Sequence, residues 1–283
     1  MEVAMFRSTK AFALLALTLV ASGCVIVDAD FKQVVRDDKH FTVNGKPDLT
    51  LSTFDGPIEV RPWDKPEVQV TIEKRGRDEA DIKSIAVTVE QNGNHITIAA
   101  NHDRDRGRVH FGWNMSRSAK LIVQAPAVSD VNARSGDGSI DVTGITGTIV
   151  LHSGDGRINA RDIGGDVDVS TGDGSVTIDG KFEALRAHSG DGSLRIQALR
   201  GSAAAKDWNI TTGDGSVTLE LPDKFDADLD AHTGDGRIRL NDVTVSNVQG
   251  EIRRNTVRGQ LGSGGGALKI RTGDGSITLR RAL

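Results

Sequence analysis

From Phe41 onward, apolar and polar residues alternate with a period of two, in runs too short for helices. Leu49, Leu51 and Thr53 form one such run, and Val68, Val70 and Ile72 another. Ile85, Val87 and Val89 follow, then Ile96 and Ile98. Each predicts a strand with one buried face. Asn92-Gly93, between the last two, predicts a hairpin turn. Lys120 to Pro126 predicts a further strand.

From Ser135 the alternation becomes a repeat. The turn Ser135-Gly136-Asp137-Gly138-Ser139-Ile140 recurs around Asp155, Asp173, Asp191, Asp214, Asp235 and Asp274, in steps of 18, 18, 18, 23, 21 and 39 residues. The last step is about double the others, which places a decayed copy near Arg254-Asn255. After each turn, Ile140, Ile158, Val176, Leu194, Val217, Ile238 and Ile277 share one column. Val142, Ala160, Ile178, Ile196, Leu219, Leu240 and Leu279 share the column two residues on. A second strand aligns Ile149 with Val167 and Leu185, and Leu151 with Val169 and Ala187. Gly144, Gly147, Gly164, Gly165 and Gly180 mark a second corner.

The pattern predicts an all-β, single-stranded parallel β-solenoid (β-helix). Each rung has two short strands and spans about 18–21 residues. Phe54-Asp55-Gly56-Pro57-Ile58 is a degenerate copy of the turn and places the first rung there. An antiparallel meander competes, because Asp-Gly is also a hairpin signal. Near-identical corners, and an insert at Ser202 to Lys206 away from the repeated turn, favour the solenoid. The expected divisions are a signal peptide (1–23), an anchor and tether (24–40) and the solenoid (41–283). Within the last, irregular N-terminal rungs (41–134) precede the Gly-Asp-Gly repeats (135–283).

The repeated aspartates read as structural turns. The glycines are expected to supply φ > 0, the carboxylates to accept backbone amides, and the Ser/Thr hydroxyls to stack as a ladder. Calcium is the competing reading, but calcium-binding repeats place such turns every nine residues or so. No metal and no cofactor is expected. His152, His188 and His232 share an outward column; the first two lie two rungs apart, too far to share an ion. Arg157 and Arg237 replace Ser after the turn and weakly offset the acidic column.

Asn101 to Ser118 breaks the pattern and reads as a long surface loop. Within it Phe111, Trp113 and Met115 are candidate contacts for a partner, or else fold back as a cap. His102, Asp103, Asp105 and His110 have no standard metal-ligand spacing, and arginines are interleaved among them.

Composition supports an elongated rather than a compact core: 33 Gly, no Tyr and 4% aromatics. Arg7 and Lys10 precede an apolar run, Ala11 to Ala21, too short to span a bilayer. It ends at Ala21-Ser22-Gly23-Cys24, which resembles a bacterial lipoprotein processing box, with Cys24, the only cysteine, as the lipidated residue. An ordinary secretory signal is the alternative, and Met5 is a second candidate start. Removing residues 1–23 deletes Glu2, Arg7 and Lys10 and takes the net charge from −4 to −5. That acidity argues against nucleic acid.

Asp55-Gly56-Pro57-Ile58-Glu59-Val60 with Trp63-Asp64, the Ser/Thr-Gly-Asp-Gly series, Asp207-Trp208, Val257-Arg258-Gly259 and Gly264-Gly265-Gly266 together resemble the bacterial putative-adhesin family of unknown function, called toastrack-like. The resemblance covers about residues 45 to 283. It implies a β-solenoid on exported or membrane-attached envelope proteins, linked to adhesion or envelope-stress sensing, with no shared catalytic residues.

The function expected is a non-enzymatic envelope lipoprotein, exported and anchored through Cys24, that presents a solenoid surface to an envelope protein or glycan. Val25 after the Cys, in place of Asp, favours the outer membrane. The alternative is a polysaccharide-binding or polysaccharide-active β-helix, but the outstanding carboxylates all belong to repeated turns. Arg280 and Arg281, expected at an open terminal edge, predict a monomer.

Overall fold

The computed structural model describes residues 25–26, 33–102 and 117–282. The first half contains β1 (Val25–Ile26), β2 (Gln33–Thr42), β3 (Asp48–Thr53), β4 (Ile58–Trp63), β5 (Glu67–Gly76), a short helix α1 (Glu79–Lys83), β6 (Ile85–Asn92), β7 (His95–His102) and β8 (Ser118–Pro126). The repeats begin with β9 (Asp130–Ser135), β10 (Ile140–Thr143), β11 (Thr146–Ser153), β12 (Ile158–Thr171), β13 (Val176–Ser189), β14 (Leu194–Ala198), β15 (Trp208–Thr212) and β16 (Val217–Leu221). The chain closes with β17 (Ala227–Thr233), β18 (Ile238–Asn241), β19 (Thr256–Leu261), β20 (Ala267–Thr272) and β21 (Ile277–Arg281).

The alternating pattern is the packing pattern. Strands before and after the Gly-Asp-Gly turns bury every second residue, except β18, where Ile238 and Leu240 are half-buried, and the buried residues of both faces form one core from Phe41 to Leu279. The columns pair as the sequence predicts: Ile140 with Ile158 and Ile158 with Val176, and Ile149 with Val167 and Val167 with Leu185, all in parallel. The meander is therefore excluded for the repeats. Gly93, at φ +61°, turns the β6–β7 hairpin.

The strands after the turns form one sheet, in the order β1-β2-β5-β8-β4-β10-β12-β13-β14-β16-β21-β18. Those before the turns form the other, β6-β7-β3-β9-β11-β12-β13-β15-β20-β17-β19. β12 and β13 run through the second corner and belong to both.

Two expectations are corrected. The chain is all-β, but the sheet is mixed, and a single-stranded parallel solenoid does not describe the whole of it. Antiparallel strands close the ends: β5 and β2 beyond β8, β6 beyond β7, and β19 beyond β17. Stacking order also departs from chain order. The rung of β7 and β8 lies outside that of β3 and β4, so the Asp55 copy is second in the stack. The final rung, β20 and β21, is inserted between β15–β16 and β17–β18.

The segment before Phe41, read from the sequence as a tether or a first cap, is in its described part a strand at the end of the sheet. Residues 33–40 already belong to β2, held because Val34 and Phe41 are buried against the core. The Ser202 to Lys206 insert does not simply bulge outward. Ser202 and Ala204 are buried, and the Ser202 hydroxyl accepts the Phe182 amide at 3.1 Å.

Candidate functional site

The repeated turns stack into one column, in the order Asp55, Asp137, Asp155, Asp173, Asp191, Asp214, Asp274, Asp235. The Ser/Thr before each turn is buried. Its hydroxyl donates to a carbonyl of the adjacent rung, usually that of the second turn glycine, at 2.6 to 3.0 Å from Thr53 to Thr233. At Ser135, Ser153, Ser189 and Thr233 the same oxygen accepts the amide of its own second glycine, as with Gly156 on Ser153 at 3.0 Å. The hydroxyls thus link backbone to backbone, instead of bonding to one another as expected.

The glycines are also needed for a different reason. None from Gly136 to Gly275 in the repeated turns has a positive φ; that conformation falls at the second corner, as at Gly165 (φ +101°). What the turns require is close approach. A Cβ on Gly174 would lie 2.1 Å from the Gly156 carbonyl oxygen, and one on Gly138 would lie 2.0 Å from that of Gly56. First-glycine amides also bond rung to rung, Gly190 to the Gly172 carbonyl at 2.5 Å.

The aspartates point out. Asp137, Asp155, Asp173, Asp191, Asp214, Asp235 and Asp274 are all exposed, and none receives, from the described residues, the backbone amide bond expected of an Asx turn. Asp55 is half-buried; burial, and then the neighbouring Asp137 carboxylate, push its carboxyl above the ordinary value. Among the described residues, no three His, Cys, Asp or Glu side chains converge as a metal site.

On the outer face of the other sheet, each histidine of the predicted column meets a hydroxyl on the next strand. His152 bonds Ser170 at 2.9 Å, His188 bonds Thr211 at 2.9 Å, and His232 bonds Thr256 at 3.0 Å. Further down this face Asp230 is clamped by Arg258, at 3.0 Å, and by Arg271. Burial works to raise the Asp230 carboxyl, but the two arginines outweigh it and hold it below the ordinary value. An open groove of about 330 Å³, lined by Asp228, Asp230, Gln249, Arg258 and Lys269, lies beside this pair.

The β18 end of the stack is built differently from the other rungs. Ile238 and Leu240 are only half-buried, while their counterparts Ile277 and Leu279 are fully buried. The loop from Asn241 to Asn255 closes part of this end. It places the Arg254 carbonyl where the next rung would be, accepting the Ile238 amide at 2.8 Å, and the Asn255 carbonyl on the Thr233 amide at 3.0 Å. The expected decayed copy is thus a cap that reproduces two bonds of a missing turn. Val248 and Ile252 stay exposed beside it. The sequence signal for this end was Arg237 and Arg239 in columns otherwise held mainly by small polar residues.

Cys24, Phe111, Trp113 and Met115 lie outside the described residues, as do Asp103, Asp105 and His110. His102 packs edge-on to Phe54, with 5.5 Å between ring centroids. Arg280 and Arg281 do not guard an open edge. They lie on the interior β21, where Arg280 pairs with Glu220 and Arg281 donates to the Pro222 carbonyl. No described helix is long and apolar enough to cross a membrane.

The family model Toastrack DUF4097 matches residues 47–280, and the chain belongs to that family. Three solved structures are similar at low identity. A putative cell adhesion protein from Clostridium sporogenes is 12% identical with TM-score 0.40, covering 87% of this chain and 100% of that one. A putative adhesin from Bacteroides fragilis is 12% identical with TM-score 0.36, covering 87% and 97%. A putative lipid binding protein from Parabacteroides distasonis is 12% identical with TM-score 0.36, covering 86% and 96%. No curated protein matches the sequence.

Proposed function

We propose that this protein is a non-enzymatic lipoprotein of the bacterial envelope whose stacked rungs carry an interaction surface for another envelope macromolecule. The observation that carries this reading is the position of the anchor sequence. Cys24 directly precedes β1, and Val25 and Ile26 pair with Val35 and Val34 of β2. A lipid on Cys24 would therefore sit at the N-terminal end of the stack. From β8 to β18 the first sheet climbs eight strand steps, or about 38 Å at roughly 4.8 Å per step. The far end would lie about that distance beyond β8, with β5, β2 and β1 on the membrane side of β8. Val25 in place of Asp favours the outer membrane.

The non-enzymatic part rests on the carboxylates. Those shifted downward are engaged structurally: Glu79 with Lys83, Asp81 with Arg77, Asp130 with Lys46, Asp226 with the Ser263 amide, and Asp230 with its two arginines; Asp55, shifted upward by burial and by Asp137, belongs to the stacked turns. The test is metabolic labelling with radioactive palmitate and membrane fractionation. The parent should be labelled and sediment with outer membranes, and Cys24→Ser should be unlabelled. An unlabelled parent found free in the medium would end the lipoprotein reading.

A further inference from the structure

We propose that the free edge of β18 is a docking site for an extended, acidic segment of a partner protein, added as a further strand of the first sheet. This rests on the envelope reading above and names where and how a partner would be held.

At three of the four ends of the parallel stacks an antiparallel strand is added, β5 on β8, β6 on β7 and β19 on β17, whereas β18 is itself a rung strand that ends its sheet. β18 pairs with β21 on one side only. On its other side the Arg254 carbonyl takes the Ile238 amide, and among the described residues nothing takes the Leu240 amide. Alternation along a strand directs the Ile238 and Leu240 carbonyls the same way. An incoming strand would satisfy these groups. It would also cover Ile238 and Leu240, whose equivalents in the inner rungs are fully buried.

Charge selects the partner. Arg237, Arg239 and Arg254 are exposed around this edge, with no ion pair to any described carboxylate. A strand bearing Glu or Asp at alternate positions would meet them, while its apolar residues would cover Ile238 and Leu240. A second copy of this chain fits poorly, since pairing two β18 edges would bring their arginines together, and like charges across a strand pair are destabilising. Strand addition is an established mode of peptide capture, in which backbone bonds give affinity and alternate side chains give selectivity.

The probe is an acetylated peptide of alternating valine and glutamate, titrated against the full chain and followed by fluorescence anisotropy and by hydrogen exchange at the Leu240 amide. Saturable binding, slowed exchange at Leu240 and affinity at least about tenfold weaker for the folded Arg237→Glu, Arg239→Glu double variant are expected. A twin peptide N-methylated at alternate residues should not bind. Any of three results would overturn the inference: no saturable binding, equal binding of the N-methylated twin, or a dimer in sedimentation that Arg239→Glu dissolves. A photo-crosslinker placed in cells at Asn241 and, separately, at Thr177 separates the two proposals. Capture only from Thr177 sinks the β18 site and leaves the envelope reading standing. Failure of the palmitate label sinks the anchor while the peptide result stands.

Discussion

The Thr171 hydroxyl donates to the Gly156 carbonyl, one rung away, at 3.0 Å. The same carbonyl oxygen would lie 2.1 Å from a Cβ on Gly174. One contact ties adjacent corners together, and the other shows how little room they leave.

Replacing Thr171 by Val keeps the shape and removes the hydroxyl. The buried Gly156 carbonyl then loses that donor, which should cost about 1–3 kcal/mol. Urea denaturation should show a lower midpoint at unchanged slope, as befits a change in stability without a change in exposed surface. Ser153→Ala should behave alike, because Ser153 also accepts the Gly156 amide at 3.0 Å.

Trp208 is fully buried, with its ring 5.8 Å from Phe182 and 4.9 Å from Phe225. Trp208→Ala should cost about 3–5 kcal/mol by leaving a cavity. Trp208→Phe should cost clearly less, because the indole N–H has no acceptor to lose. Thermal unfolding of the two variants checks the order.

Two aspartates should respond to pH in opposite senses. Asp55 titrates above its ordinary value when folded, so its ionised form opposes folding at neutral pH. That penalty disappears as pH falls through the folded value and below the unfolded value of about 3.9. Asp230 titrates below its ordinary value. Its contribution is present above about pH 3.9 and is lost as pH falls toward the folded value. Asp55→Asn should therefore be mildly stabilising at neutral pH, and Asp230→Asn destabilising. Both differences from the parent should shrink in acid, which urea midpoints across pH will show.

The columns were legible because each rung repeats the same demand: Ile158 must be apolar whichever neighbours it meets. The stacking order was not legible for the same reason. Ile277 fits equally well against Val217 or Ile238, so the inserted last rung leaves no mark beyond the long step to Asp274. The turn glycines were located from the sequence but given the wrong task, since close approach between rungs depends on a neighbour that the local sequence does not name. The β18 edge was hidden too. Arginine also occurs in these columns at Arg157 and Arg195, and only the pairing of Arg237 with Arg239 in one rung is distinctive; the stacking order alone makes their strand terminal.

The central claim is that Gly-Asp-Gly is a corner piece whose glycines are required and whose aspartates are not. Melting Gly174→Ala beside Asp173→Ala tests it directly. Gly174→Ala should lose at least about 1–3 kcal/mol to forced backbone shifts. Asp173→Ala should change stability by no more than about 0.5 kcal/mol, as exposed sites usually do, with or without added calcium. Equal losses, or a calcium-dependent melting temperature abolished by Asp173→Ala, would contradict the account.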